Sequence, residues 1–256
     1  AAVYFLQKGA PSLAEFAAYR KVLAHSSLRH SFACILRAPV RRVDWTDDAG
    51  WARWSANVAS AAWFAKVGGF VGGYIDVEDY PKSCQFERLA TDPDIDQCRA
   101  LARRRGAEMF RAVFREFPDM AVLSFWLLST YPGGYAFATD PVGAARDGGD
   151  LWPSFVSGML EVDGDEKAYR YEAERGDFFR SAVEQRVGLS RLVPPENRTK
   201  YQALLRTSFG HYMEMYTNPE GHRHYFPPAD GSRLRHFAKN LAQSVAAADE
   251  DLWFWT

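Results

Sequence analysis

The chain has 256 residues, a formal net charge of −1, 47% hydrophobic and 25% charged residues. That composition excludes extensive disorder, and the near-zero charge gives no general electrostatic reason to expect nucleic acid or an anionic membrane as partner. Three cysteines without a CxxC pair argue against a disulfide framework or a zinc knuckle, though one bridge stays open.

In chain order, short apolar segments alternate with longer segments of helical periodicity, the pattern of repeated β/α units. Strands are expected at 3–6, 32–37, 70–78, 121–129, 162–171, 211–216 and 252–256, and helices at 13–23, 46–68, 95–117, 177–187, 196–206 and 232–248. The helix after Thr46-Asp47-Asp48 is the best signalled. It has capping residues at its start, Trp51, Trp54, Val58, Ala61, Ala62 and Ala65 on one face, and Gly68-Gly69 as its stop. The next carries the run Arg103-Arg104-Arg105, read as a solvated face, and ends before Pro118.

This order predicts one domain over 1–256 built as an α/β (β/α)8 barrel of the TIM type. Six or seven strands are counted instead of eight and the last reaches Thr256, so the expected barrel is trimmed at its termini.

The segment 70–80, FVGGYIDVEDY, carries the chemistry. Alternation puts Gly72, Tyr74, Asp76 and Glu78 on one face, with Phe70, and Val71, Gly73, Ile75 and Val77 on the other. Two carboxylates two residues apart on a strand have Cα atoms roughly 6.5 Å apart, close enough to perturb each other's proton affinity. Ligands of parallel α/β folds sit at the carboxyl ends of the strands, where this pair stands. Glycoside cleavage needs one carboxyl as acid and another as base or nucleophile, so Glu78 and Asp76 are the first catalytic candidates. The plain structural alternative is that Asp76 bonds loop amides and Glu78 pairs with an arginine.

Glu214, between Tyr212 and Tyr216 on a predicted strand face, is a reserve nucleophile or base. Tyr80, Trp126, Tyr131, Tyr169, Tyr212, Trp253 and Trp255 lie at or near predicted strand ends, where flat rings can hold sugars. His222 and His224 have ligand-compatible spacing in a Gly- and Pro-flanked loop, which keeps a metal-dependent hydrolase as an alternative, but no third ligand is near and no metal is expected. Neither a GxSxG elbow nor a GxGxxG turn occurs, so no serine nucleophile or dinucleotide cofactor is expected.

WTDDAGWARWSANVASAAWFAKVGGFVGGYIDVEDY, followed by RRRGAEMFRAVFREFPDMAVLSFWLLS, LWPSFVSGMLE, VDGDEKAYRYE and DEDLWFWT, resembles a group of bacterial glycoside-hydrolase-like barrel proteins of largely unassigned function. The resemblance implies a barrel with Asp76, Glu78 and Tyr80 in its site, adds Asp165, Glu166 and Tyr169 from DGDEKAY, and points to Trp253 and Trp255. Asp79 stands where that group usually has proline. The acidic strand is also similar to the DGxDxDxE strand of family 18 chitinases. Gly72, Asp76 and Glu78 match that pattern, while Val71 and Tyr74 replace two of its aspartates. In a chitinase-like, substrate-assisted route Glu78 would donate the proton and Asp76 would orient the acetamido group.

The expected function is therefore carboxylate acid/base hydrolysis of an oligo- or polysaccharide, with a non-catalytic carbohydrate-binding barrel as the competing class. The partner is a carbohydrate substrate, not nucleic acid or membrane. Nothing fixes the compartment or the oligomeric state, and the chemistry leans to a secreted or periplasmic setting.

Overall fold

In the computed structural model, the residues described are 21, 32–124, 127, 128, 139–162, 189–223, 225, 227, 228, 231–249 and 252–255. The elements are β1 (Phe32–Arg37), α1 (Asp48–Gly68), β2 (Gly72–Asp76), α2 (Ile95–Glu116), β3 (Ala121–Ser124), α3 (Pro141–Asp147), α4 (Trp152–Leu160), a 3₁₀ turn (Ser190–Leu192), α5 (Pro195–Leu204), β4 (Phe209–Tyr212), α6 (Glu214–Thr217), α7 (Arg233–Ala247) and β5 (Leu252–Trp255).

The barrel expectation is overturned. Among the described residues five strands form two separate parallel sheets, one in the order β1-β2-β3 and one pairing β4 with β5. A barrel needs every strand paired on both sides, whereas β2 alone has two neighbours here. Beyond β3 the described chain turns to helices α3 and α4 instead of a fourth strand. The predicted strand at 3–6 and helix at 177–187 fall outside the described residues, as do the strand at 162–171 apart from residue 162 and the helix at 13–23 apart from residue 21.

Within the first sheet the expected chemistry of β/α units holds. Asp47 caps α1 by accepting the Gly50 amide, and Gly69, at φ 79°, closes it in the left-handed conformation. Asp94 caps α2 through the amides of Asp96 and Gln97. Ala33, Ile35, Leu36, Ile75, Val77 and Val122 face α1 and α2 in the main core, while Cys34, Tyr74 and Leu123 form a smaller buried cluster on the opposite face. Phe70, expected beside Tyr74, joins the main core instead, because the strand starts only at Gly72.

The interior of the main core is aromatic. Trp45 stacks on Trp51 at 4.9 Å, Trp152 on Phe155 at 5.5 Å, and Phe86 meets Trp152 edge-on at 4.8 Å. α4, not foreseen from the sequence, is almost wholly buried and crosses α2 at two glycines. A Cβ on Gly158 would lie 1.8 Å from the Arg103 carbonyl oxygen, and one on Gly106 would lie 2.0 Å from that of Phe155. Hydrogen at both positions sets the distance between the two helices.

The arginine run is the solvated face expected only in part, at Arg103 and Arg104. Arg105 is buried, donating to the Trp45 carbonyl, Asp48 and Glu108. Arg103 reaches Glu161 and Glu196, and Arg104 reaches Asp48. The run therefore ties α2 to the start of α1 and to the segments after α4.

Candidate functional site

Asp76 is the last residue of β2, the central strand of its sheet. It is 8% exposed, and Glu78 follows it half-buried in the outgoing loop. A bulge decides what faces Asp76. β1 and β2 pair Cys34 with Tyr74, but the next pairs are Leu36 with Ile75 and Arg37 with Asp76, so Ile35 is an extra residue. Unbroken alternation would have put Arg37 on the same face as Ala33, toward the helices. The bulge turns it to the carboxylate face, where its Nε lies 3.7 Å from Asp76 Oδ2.

The other oxygen of Asp76 accepts the Glu78 amide at 3.2 Å. Glu78 Oε2 in turn accepts the Tyr80 hydroxyl. The plain structural alternative is thus met for Asp76, which holds a loop amide and faces an arginine, but not for Glu78, which accepts a tyrosine hydroxyl. Burial, reinforced by the charge of Glu78, pushes the Asp76 carboxyl above the usual aspartate range, with the Glu78 amide and Arg37 pulling the other way. The Tyr80 phenol is raised because Glu78 holds its proton, with burial second, so it stays a donor. Beneath the pair, burial drives the Cys34 thiol up to about 12 despite a bond from Tyr74, which leaves it protonated and no nucleophile.

The loop carrying Glu78 is held from below. Asp79 accepts the Ser83 amide at 2.8 Å, the Ser83 hydroxyl at 3.0 Å and the Cys84 amide. That turn contains two non-glycine residues at positive φ, Lys82 at 56° and Cys84 at 51°. Asp79 thus organises this turn. Further on, buried Gln85 is bound twice to Val43, accepting its amide at 2.7 Å and donating to its carbonyl at 3.0 Å. This clips the loop after β2 to the loop after β1.

Tyr80 joins this pair, whereas the described candidates of the second sheet make their contacts within that sheet and its helices. Glu214, predicted on a strand, starts the short helix α6 instead, because β4 ends at Tyr212. It accepts the Tyr212 hydroxyl at 2.9 Å, and Tyr216 packs edge-on against Phe237 at 5.0 Å. The Trp253 ring lies over Gly210, where a Cβ would come within 2.3 Å of it, so it is packing for the β4–β5 pair and not an open platform. Trp255 pairs with Tyr212 in the backbone register. Tyr80 is exposed beside the carboxylates. Trp126, Tyr131, Asp165, Glu166, Tyr169 and His224 lie outside the described residues, and His222 is an exposed turn residue.

All three cysteines are free, and among the described residues no group of three or more His, Cys, Asp or Glu side chains is placed to hold a metal ion. No described helix is long and apolar enough to cross a membrane.

Arg37 and Gln85 are the residues that sequence reasoning missed. Arg37 was hidden by the bulge, which has no local sequence signal, and Gln85 by its position in a loop whose contacts are long-range. Compared with models of protein families, with curated proteins and with solved structures, the chain finds no match in any of the three.

Proposed function

We propose that this protein hydrolyses glycosidic bonds of an oligo- or polysaccharide with Asp76 and Glu78 as its acid/base pair. The reading is independent of a closed barrel, since it needs only the carboxyl edge of a parallel sheet. The observation that carries it is the unequal treatment of two adjacent carboxyls. Asp76 is buried, and desolvation and its acidic neighbour raise its proton affinity, while Glu78 sits in the half-exposed loop as acceptor for the Tyr80 hydroxyl. A pair of carboxyls whose environments differ in this way divides the labour of an acid and a base. In this assignment Asp76 donates its proton to the leaving oxygen, the reverse of the role expected from the sequence. Glu78 then activates water or attacks.

The resemblance of the acidic strand to glycoside-hydrolase-like proteins supports the same chemistry. A second reading, saccharide binding without cleavage, is supported by Arg37, whose charge opposes the raised proton affinity of Asp76.

Release of reducing ends from a panel of oligo- and polysaccharides tests the proposal. The wild type is expected to release product, and Glu78→Gln to lose about 10²–10⁴-fold in rate with an unchanged circular dichroism spectrum. Wild-type rates in Glu78→Gln would end the assignment. Saccharide binding by calorimetry without product would leave the binding reading in its place.

A further inference from the structure

At the same edge of the sheet as the carboxylates, a hollow of about 640 Å3 opens in the loop after β1 and the first turns of α1. Its lining includes Trp54 with Arg41, Arg42 and Arg53. We infer that this hollow is an acidic-saccharide subsite of the same edge, in which Trp54 supports a sugar ring and Arg41 and Arg53 hold its carboxylate. The inference rests on the glycosidase reading and names the class of sugar that reading would take.

Placement is the first argument. The hollow begins at Pro39, two residues beyond Arg37, the register partner of Asp76. One strand spacing and two residues of chain put that rim within about 12 Å of the Asp76 Cα. The two hydrogen bonds between Gln85 and Val43 tie the loop that lines the hollow to the loop that carries Glu78.

Lining chemistry is the second. Trp54 is half-buried, braced by Trp51 at 4.9 Å and Phe86 at 6.4 Å, which leaves part of a fixed ring at the surface. Several polar groups around it are already locked. Arg42 is bonded to Asp92 at 2.7 Å, Asp44 to Thr46, and Asp47 to the first turn of α1. They form preorganised walls. Arg41 and Arg53 are exposed instead, and Arg53 has only a 4.0 Å approach to Asp47. Guanidinium forks bind a carboxylate through two parallel hydrogen bonds. A ring with a carboxylate therefore fits this lining better than a neutral sugar.

Calorimetric titration of Glu78→Gln protein with oligogalacturonate and with a neutral cello-oligosaccharide is the test. The acidic ligand should bind and quench tryptophan fluorescence, the neutral one should bind at least about tenfold more weakly, and Arg53→Met and Arg41→Met should each lower affinity by about tenfold. Trp54→Phe, which keeps the core contact, should abolish part of the quench. Equal binding of both sugars, no binding of either, or affinity indifferent to both arginines would overturn the subsite. Binding as expected without hydrolysis by the wild type would instead remove the glycosidase reading and leave the subsite standing.

Discussion

Asp76 is where the account makes its sharpest residue-scale demands. Its folded-state proton affinity is raised above that of the unfolded chain, chiefly by burial. Between the two values the folded protein binds more protons than the unfolded one, so this group's contribution is fullest below the unfolded value and is lost as pH rises through the folded one. Asp76→Asn keeps the acceptor for the Glu78 amide and removes the titration. Urea denaturation should show the variant gaining on the wild type as pH rises above the ordinary aspartate value, in the manner of functional positions that trade stability for chemistry. A difference independent of pH would contradict the raised proton affinity. Arg37 illustrates what a sequence hides at this scale. The residue types and spacing of 76 and 78 were legible, but the cation opposite them arrives through one unpaired residue in β1. Parity counting alone assigns it to the wrong face.

At the scale of elements, local signals were legible and pairwise geometry was not. Both long helices start at their aspartate caps, Asp47 and Asp94, and α1 ends at its glycine, as local chemistry requires. α4 was missed because a nine-residue helix that opens on Trp152-Pro153 and is buried on nearly every side gives no long periodic pattern to read. Its contact with α2 makes a definite prediction. Gly158→Ala should destabilise by about 1–3 kcal/mol or more in thermal denaturation, since the new methyl meets backbone that cannot rotate away. The arginine run separates two kinds of ion pair in the same helix. Arg105→Met strips a buried donor from the Trp45 carbonyl and should cost about 1–3 kcal/mol, whereas Arg104→Met, on a half-exposed side chain, should cost at most about 1 kcal/mol. Equal losses would show that the Trp45 contact does not hold the helices together.

For the whole molecule, the alternation of short apolar segments with helices read correctly as parallel β/α structure and misread as a barrel. Each β/α unit carries the same local pattern whether it belongs to three strands or eight, because strand number is set by pairing between distant segments. The second sheet shows this limit directly, since β4 and β5 pair with each other and not with β3. The two sheets also differ in apolar support. β1–β3 share an aromatic core with α1, α2 and α4, while among the described residues Phe209 is the one buried residue of the small cluster beneath β4 and β5. Native-state hydrogen exchange should therefore protect the amides of β2 more strongly than those of β4. Equal protection would mean that the second sheet opens only with the whole fold.

The most direct measurement is the carbon NMR titration of the Asp76 side-chain carboxyl, in the wild type and in Arg37→Met. The account predicts a midpoint above the ordinary aspartate value in the wild type and a higher one still when the cation is removed. A midpoint at or below the ordinary value, unmoved by the substitution, would leave Asp76 an ion-paired structural residue and the acid/base pair without its acid.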